Sequence, residues 1–332
     1  MHKIGGSFDV LRHFVSYGGL RMTGVLARAS LLRTRSRMSN EAIFDLIGKQ
    51  EWLESAADPI SKAVRGAFAG ETGKTIKNAL HGTWFGHPLH PALIAIPVGA
   101  WTVAMILDSM ESLSGRKELR AGADAAVGIG LIGALGSAIT GATDWSETDG
   151  RGKTIGLLHG LLNVGATALY TTSFFLRKRK RQRSKAVALS MLGFAISNAS
   201  AYLGGHLVFG EQIGVDHTAT PNASDPEKFR VAIAADELKA NKLTRVTAGD
   251  ADIVLFKRGD EVFALSATCP HLGGPLDKGK VVGDAIQCPW HGSELALEDG
   301  HVVNGPATFP ARCYEVRVRA GNVEVRGAKK TT

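Results

Sequence analysis

Cysteine is scarce in this chain, with three in 332 residues. That is too few for a disulfide framework. Acid is nearly missing from residues 1–40, which hold seven Arg or Lys and one Asp. That stretch reads either as a targeting segment or as sequence ahead of a start at Met38. Charge is missing from the centres of four apolar runs, at about 89–107, 125–143, 155–176 and 186–209. Each run is close to the ~20 residues a bilayer requires, so membrane spans are expected rather than buried soluble helices. The net charge of +8 gathers in residues 1–40 and in the run RKRKRQRSK at 177–185. Because that run lies between two spans, lipid head groups are its expected partner, and nucleic acid is not.

What is present is more specific. Cys269-Pro-His271 is followed, sixteen residues on, by Cys288-Pro-Trp-His291. Each pair presents a thiolate and an imidazole from one tight loop. Two thiolates and two neutral imidazoles leave an oxidised [2Fe–2S] core near neutral, which favours accepting one electron. The same four side chains also suit a structural zinc ion.

The context around the pairs is CPHLGGPL, then CPWHGSELALEDG, then Gly305-Pro306-Ala307. Over about residues 228–327 it resembles the Rieske family. The resemblance implies a [2Fe–2S] cluster with Cys269 and Cys288 on one iron and His271 and His291 on the other. It implies that both imidazoles sit near the tip with one edge open, and that Pro306 covers the cluster. Gly273 and Gly274 let the first loop approach without side-chain collision. The resemblance also implies that the Ser293 hydroxyl bonds a cluster sulfur, which raises the potential. Quinol-oxidising relatives have a disulfide where this chain has Gly274 and Trp290, and a tyrosine where it has Leu295. An intermediate potential is therefore expected. A terminal oxygenase needs a further iron on two histidines and a carboxylate. The roughly 40 residues after Cys288 offer no such set.

The expected fold is multidomain: a four-helix transmembrane bundle followed by a small antiparallel all-β Rieske domain. The expected segments are a basic N-terminal stretch 1–40, an amphipathic helical segment 41–80 broken near Pro59, spans over 81–212, a linker at 213–227 and the Rieske domain at 228–327. VAIA, IVLFK, VFALS, YEVRVR and VEVRG alternate as strands, with a turn at Arg258-Gly259-Asp260. Cys313 reads as a small buried strand residue, and His301 as a surface residue.

Span parity puts His87, His90, Asp144, His159 and His206 on one face, at similar depth, beneath the Rieske domain. Ionisable groups in spans point to function. Either a b-type haem on two histidines or a quinol site is expected, with His159 and His206 the preferred pair and His90 close by. Gly133, Ser137 and Gly141 make a smooth helix face that admits another helix or a flat cofactor. About residues 80–212, with His-Pro-Leu-His-Pro at 87–91, resemble an uncharacterised bacterial family of four-span membrane domains. Loops 110–124 and 177–185 carry ten basic residues, against Lys74, Lys77, Arg151 and Lys153 opposite. The positive-inside rule then places the Rieske domain on the non-cytoplasmic face of a bacterial cell membrane. The expected function is a membrane-anchored carrier of single electrons rather than a self-contained enzyme. Its partners would be the lipid bilayer and a redox protein or a quinone. The alternative is a ferredoxin component that serves a separate oxygenase, with the helices as an anchor only.

Overall fold

A computed structural model describes residues 41–179, 181–218 and 226–327. The expected segment 1–40 lies outside the described residues, as does the middle of the linker. The chain divides into two compact units, 1–51 and 52–332. In the first, residues 41–48 are helical.

The second unit begins with helices. These are α1 (Glu51–Gly66), α2 (Gly70–His81), a short α3 (Leu89–Leu93), α4 (Ala95–Ser114), α5 (Leu119–Trp145), α6 (Gly150–Arg177) and α7 (Arg183–Phe209). Pro59 does not break the amphipathic segment, because it sits inside α1. The interruption comes between Gly66 and Gly70. Leu53, Ala57 and Ser61 recur every four residues and form the buried face of α1. α2 stops at Gly82, which has φ +85° and returns its N–H to the carbonyls of Ala79 and Asn78. A Cβ at Gly82 would lie 2.3 Å from the His87 carbonyl oxygen, so only glycine permits this turn.

Among the described residues, three helical stretches are long and apolar enough to cross a membrane: Leu89–Ser114, Leu119–Trp145 and Arg183–Phe209. α6 has the length, but its first half carries Arg151, Lys153, His159 and Asn163, so by composition it does not join them and the expected count of four is not confirmed. The small-residue face of α5 is filled by helix packing. Gly133 meets Ile96 and Pro97, and Gly141 meets the His90 ring. Outward-facing Ile132, Leu135, Val164 and Phe175 stay exposed, as side chains in lipid would be.

At the loop end of the helices, charges close on one another. Arg177 and Asp108 pair, both almost fully buried, and Arg177 also reaches Asp124 at 2.9 Å. Arg183 joins Asp108 at 2.9 Å and Glu111 at 3.0 Å, while Arg120 takes the other oxygen of Glu111. Two members of the basic run at 177–185 therefore belong to an ion-pair network.

Among the described residues the β domain holds ten strands in three antiparallel sheets. β1 (Arg230–Ala234), β9 (Tyr314–Arg319) and β10 (Asn322–Gly327) form one, ordered β1-β10-β9. β2 (Thr244–Ala248), β3 (Ala251–Arg258) and β4 (Glu261–Ser266) form the second. The third runs β5 (Lys280–Val282), β6 (Ala285–Gln287), β7 (Glu294–Ala296) and β8 (Val302–Asn304). The five expected strands are present, and Gly259 turns β3 into β4 at φ +59°. Cys313 is only half-buried and bridges Leu265 just ahead of β9. Burial, with the nearby Asp299 charge, pushes its thiol up to about 11. His301 is exposed and pairs with Asp299, as expected of a surface residue.

Candidate iron–sulfur centre

The two Cys/His loops are built alike. In the first, between β4 and β5, the Cys269 N–H donates to the Gly274 carbonyl at 2.8 Å, and the Gly273 N–H returns to the Cys269 carbonyl at 3.0 Å. In the second, between β6 and β7, Cys288 donates to Ser293 at 2.8 Å, and Gly292 returns to Cys288 at 3.1 Å. Gly273 and Gly292 both have φ +76°, the left-handed geometry that glycine adopts without strain. Repeating this closed turn brings the four donor side chains to one end of the β domain.

Cys269 and Cys288 lie buried in one core cluster with Leu276, Ile286, Leu295 and Ala307. Their sulfurs share a hydrogen bond. That bond is the largest cause holding the Cys288 thiol down, to about 6, and it pushes the Cys269 thiol up. The backbone N–H groups of Trp290 and His291 also favour the Cys288 thiolate. The His271 and His291 rings stand edge to face with centroids 4.9 Å apart. Burial first, then the charges of His291, His81, His217 and Lys77, lower His271 to about 3. Its Nδ1 is buried without a protein partner. A neutral imidazole with a free lone pair is what a metal requires. Among the described residues no three His, Cys, Asp or Glu side chains converge on a single ion. A tetrahedral zinc site would need four. Separate cysteine and histidine pairs suit a two-iron cluster.

Ser293 is fully buried. Its Oγ accepts the Ala307 N–H at 3.0 Å, and its hydroxyl hydrogen-bonds the Cys269 sulfur. Pro306 is buried beside it. A Cβ on Gly274 would fall 2.8 Å from the Cys288 sulfur and 3.2 Å from the Trp290 ring. Residues 274 and 290 thus face each other, with no cysteine at either.

Residues 228–315 match the Rieske [2Fe-2S] domain family. Residues 86–217 match the family described as Predicted membrane protein (DUF2231). The chain belongs to the Rieske family, with a DUF2231 domain ahead of the Rieske domain. It is 35% identical over 98 residues to Ferredoxin CarAc of Metapseudomonas resinovorans, covering 29% of this chain and 92% of that one. It is 34% identical over 92 residues to the anthranilate 1,2-dioxygenase ferredoxin subunit of Burkholderia cepacia, covering 28% of this chain and 85% of that one. It is 33% identical over 76 residues to the cytochrome b6-f complex iron-sulfur subunit of Chlorobaculum tepidum, covering 23% of this chain and 41% of that one. Electron transfer by a [2Fe–2S] cluster is the chemistry the Rieske domain supports.

The tip of the Rieske domain is not open on all sides. The His291 side chain is only 7% exposed, and its Nε2 donates to Asp149 Oδ2 at 2.9 Å. Asp149 stands at the N-cap of α6 but makes no side-chain cap bond, so its carboxylate is turned to His291 and to Lys153, 3.6 Å away. Burial works to raise the Asp149 carboxyl, but the hydrogen bond and charge of His291, together with Lys153, outweigh it and hold the carboxyl below its usual range. Asn78 grips the loop before Pro306. It donates to Asn304 Oδ1 at 2.8 Å and accepts the Gly305 N–H at 2.9 Å. His81 is buried beside Gly305, with Nδ1 on Asp144 at 2.6 Å and Nε2 unpartnered. The His87 ring meets Phe309, with centroids 5.7 Å apart. The linker joins in, as the His217 N–H donates to the Pro270 carbonyl at 3.1 Å. A cavity of about 220 Å³ remains, lined by Asp149, Arg151, Glu211, Ile213, Trp290 and His291 among others.

The expected histidines are engaged in different ways. α6 starts at Gly150, five residues before its apolar run, which puts His159 roughly 14 Å into the helix at 1.5 Å per residue. His159 Nδ1 donates to the Ser200 carbonyl at 2.8 Å and its Nε2 accepts from Asn163 at 3.2 Å, so both ring nitrogens are engaged. His90 Nδ1 donates to the Ser137 carbonyl at 2.9 Å. His206, in the last turn of α7, bonds Glu211 at 3.2 Å, and Glu211 also takes Arg151 at 2.7 Å. His206 alone of the preferred pair is joined through Glu211 to the cavity at the tip.

Asp149, Asn78, His81 and His217 escaped the sequence reading. The one available signal was Asp149, an N-cap residue type directly ahead of a glycine-rich helix start.

Proposed function

We propose that this protein is a membrane-anchored carrier of single electrons whose helical domain is both its anchor and its partner in electron exchange. Cys269 and Cys288 hold one iron, and His271 and His291 hold the other. The bound cluster supplies one-electron transfer. The observation that carries the reading is the contact of the cluster tip with α2 and the α5–α6 turn, through Asn78 and Asp149. A soluble partner approaching the histidines meets that contact first. The same fact weighs against the second reading, a ferredoxin component for a separate oxygenase, which the names of two relatives favour.

A quinol is the donor that fits better than a haem. A haem iron on His159 Nε2 would have to displace the Asn163 amide, and one on His206 Nε2 the Glu211 carboxylate. A quinol releases one proton with each electron, and Glu211 with His206 offers an acceptor at the cavity. The reading includes α6 as a fourth span. Its 28 residues reach roughly 42 Å, against a hydrocarbon core of about 30 Å, so its charged first turn stays in the head-group zone. It also keeps the Rieske domain on the non-cytoplasmic face of a bacterial membrane.

The test is a visible spectrum of detergent-purified protein before and after a short-chain quinol analogue, with low-temperature EPR of each sample. Quinol-dependent appearance of a Rieske EPR signal without a Soret band is expected. A Soret band would replace quinol by haem. A cluster reduced by dithionite but never by quinol would leave the ferredoxin reading.

A further inference from the structure

We infer that Asp149, a residue of the helical domain, is the outer partner of cluster ligand His291 and sets the reduction potential from 142 positions away. The inference rests on His291 being an iron ligand. His291 Nε2–H donates to Asp149 Oδ2 at 2.9 Å, which leaves Nδ1 as the lone pair for iron. A carboxylate on the outer nitrogen of a ligating imidazole fixes its tautomer and makes it a stronger donor to the metal. A stronger donor favours the oxidised cluster and lowers the potential. This opposes the Ser293 hydroxyl, which acts on Cys269 from inside the Rieske domain.

The carboxylate is held for this task. Asp149 gives up the side-chain cap that its position invites. Lys153 braces its other oxygen at 3.6 Å and is itself held by Asp58 at 3.1 Å. Trp145 fixes the turn by donating to the Lys153 carbonyl at 2.8 Å. The chain Asp58–Lys153–Asp149–His291 therefore runs from α1 across the start of α6 to the cluster.

The experiment is an EPR-monitored redox titration of full-length protein at one pH, comparing wild type, Asp149→Asn, Asp149→Glu and Asp58→Asn. Asp149→Asn is expected to retain the Rieske signal and shift the midpoint upward. Asp149→Glu should return it towards wild type. Asp58→Asn removes an equal charge one side chain further out and should shift it less. A retained signal with an unmoved midpoint in Asp149→Asn overturns the inference, as does an equal shift in Asp58→Asn, which would reduce the effect to distant charge. Should Asp149→Asn fail to assemble its cluster, the glutamate variant decides: a midpoint near wild type supports the contact, and loss of the cluster there too refutes it. Absence of a Rieske signal in wild type would instead remove the ligand assignment beneath it.

Discussion

The two ends of the helical domain are both rich in charge, yet they are organised differently. At the loop end, Arg177 and Arg183 meet Asp108, Glu111 and Asp124, and positive charge closes on negative. At the end facing the β domain, groups reach out of their own domain. Asp149 goes to His291 and Asn78 to Gly305, while the His81 Nε2 has no partner. A closed network serves the fold. In the proposed function, an end whose polar groups are spent on the tip of another domain serves electron exchange.

The largest effect is expected at the tip. Cys288→Ala should abolish the Rieske EPR signal entirely while the helical circular dichroism stays, because the ligand is lost and the helices are not. At the opposite end, Arg177→Met takes from buried Asp108 one of its two arginine partners and leaves Arg183. That should cost about 1–3 kcal/mol, read as a lower unfolding midpoint in detergent, with the cluster potential unchanged. A shift in potential there would mean the two ends are coupled.

Ser293→Ala sharpens the inner side of the tip. It leaves the buried Ala307 N–H unpartnered, at a cost of about 1–3 kcal/mol, and removes a donor from the Cys269 sulfur, so the potential should fall. An unmoved potential would mean the hydroxyl does not act on the cluster.

These variants also mark what could be seen in advance. The cluster loops were legible because each ligand pair lies within four residues and forms its own closed turn. Strands β3 and β4 are apolar runs within elements of eight and six residues, long enough to be read. The three-residue strands β5–β8 are too short for any period to show. Asn78, His81 and Asp149 acquire meaning only from contacts across tens to hundreds of positions, which local spacing does not encode. Arg177 looked like a loop charge because its acids, Asp108 and Asp124, lie at the ends of other helices. The start of α6 at Gly150 was not legible, because the helix extends through polar residues that hydropathy excludes.

The smallest expected effect belongs to neither end. Asp252 is held below the usual carboxylate range by the hydrogen bond from Arg245, against an opposing cost of burial. A depressed carboxylate contributes stability above its unfolded value, near pH 4, and loses it as pH falls through the folded value. Asp252→Asn should therefore flatten the loss of thermal midpoint between about pH 4 and pH 3. Because the pair is about half exposed, the difference should stay below about 1 kcal/mol.

The most direct test of the central claim is EPR of the dithionite-reduced protein in oriented membrane multilayers. A cluster docked on its own membrane domain predicts a Rieske signal whose amplitudes change strongly as the layers are rotated in the field. A Rieske signal indifferent to rotation would contradict the docked arrangement, and no Rieske signal in protein that retains its iron would contradict the assignment of the centre itself.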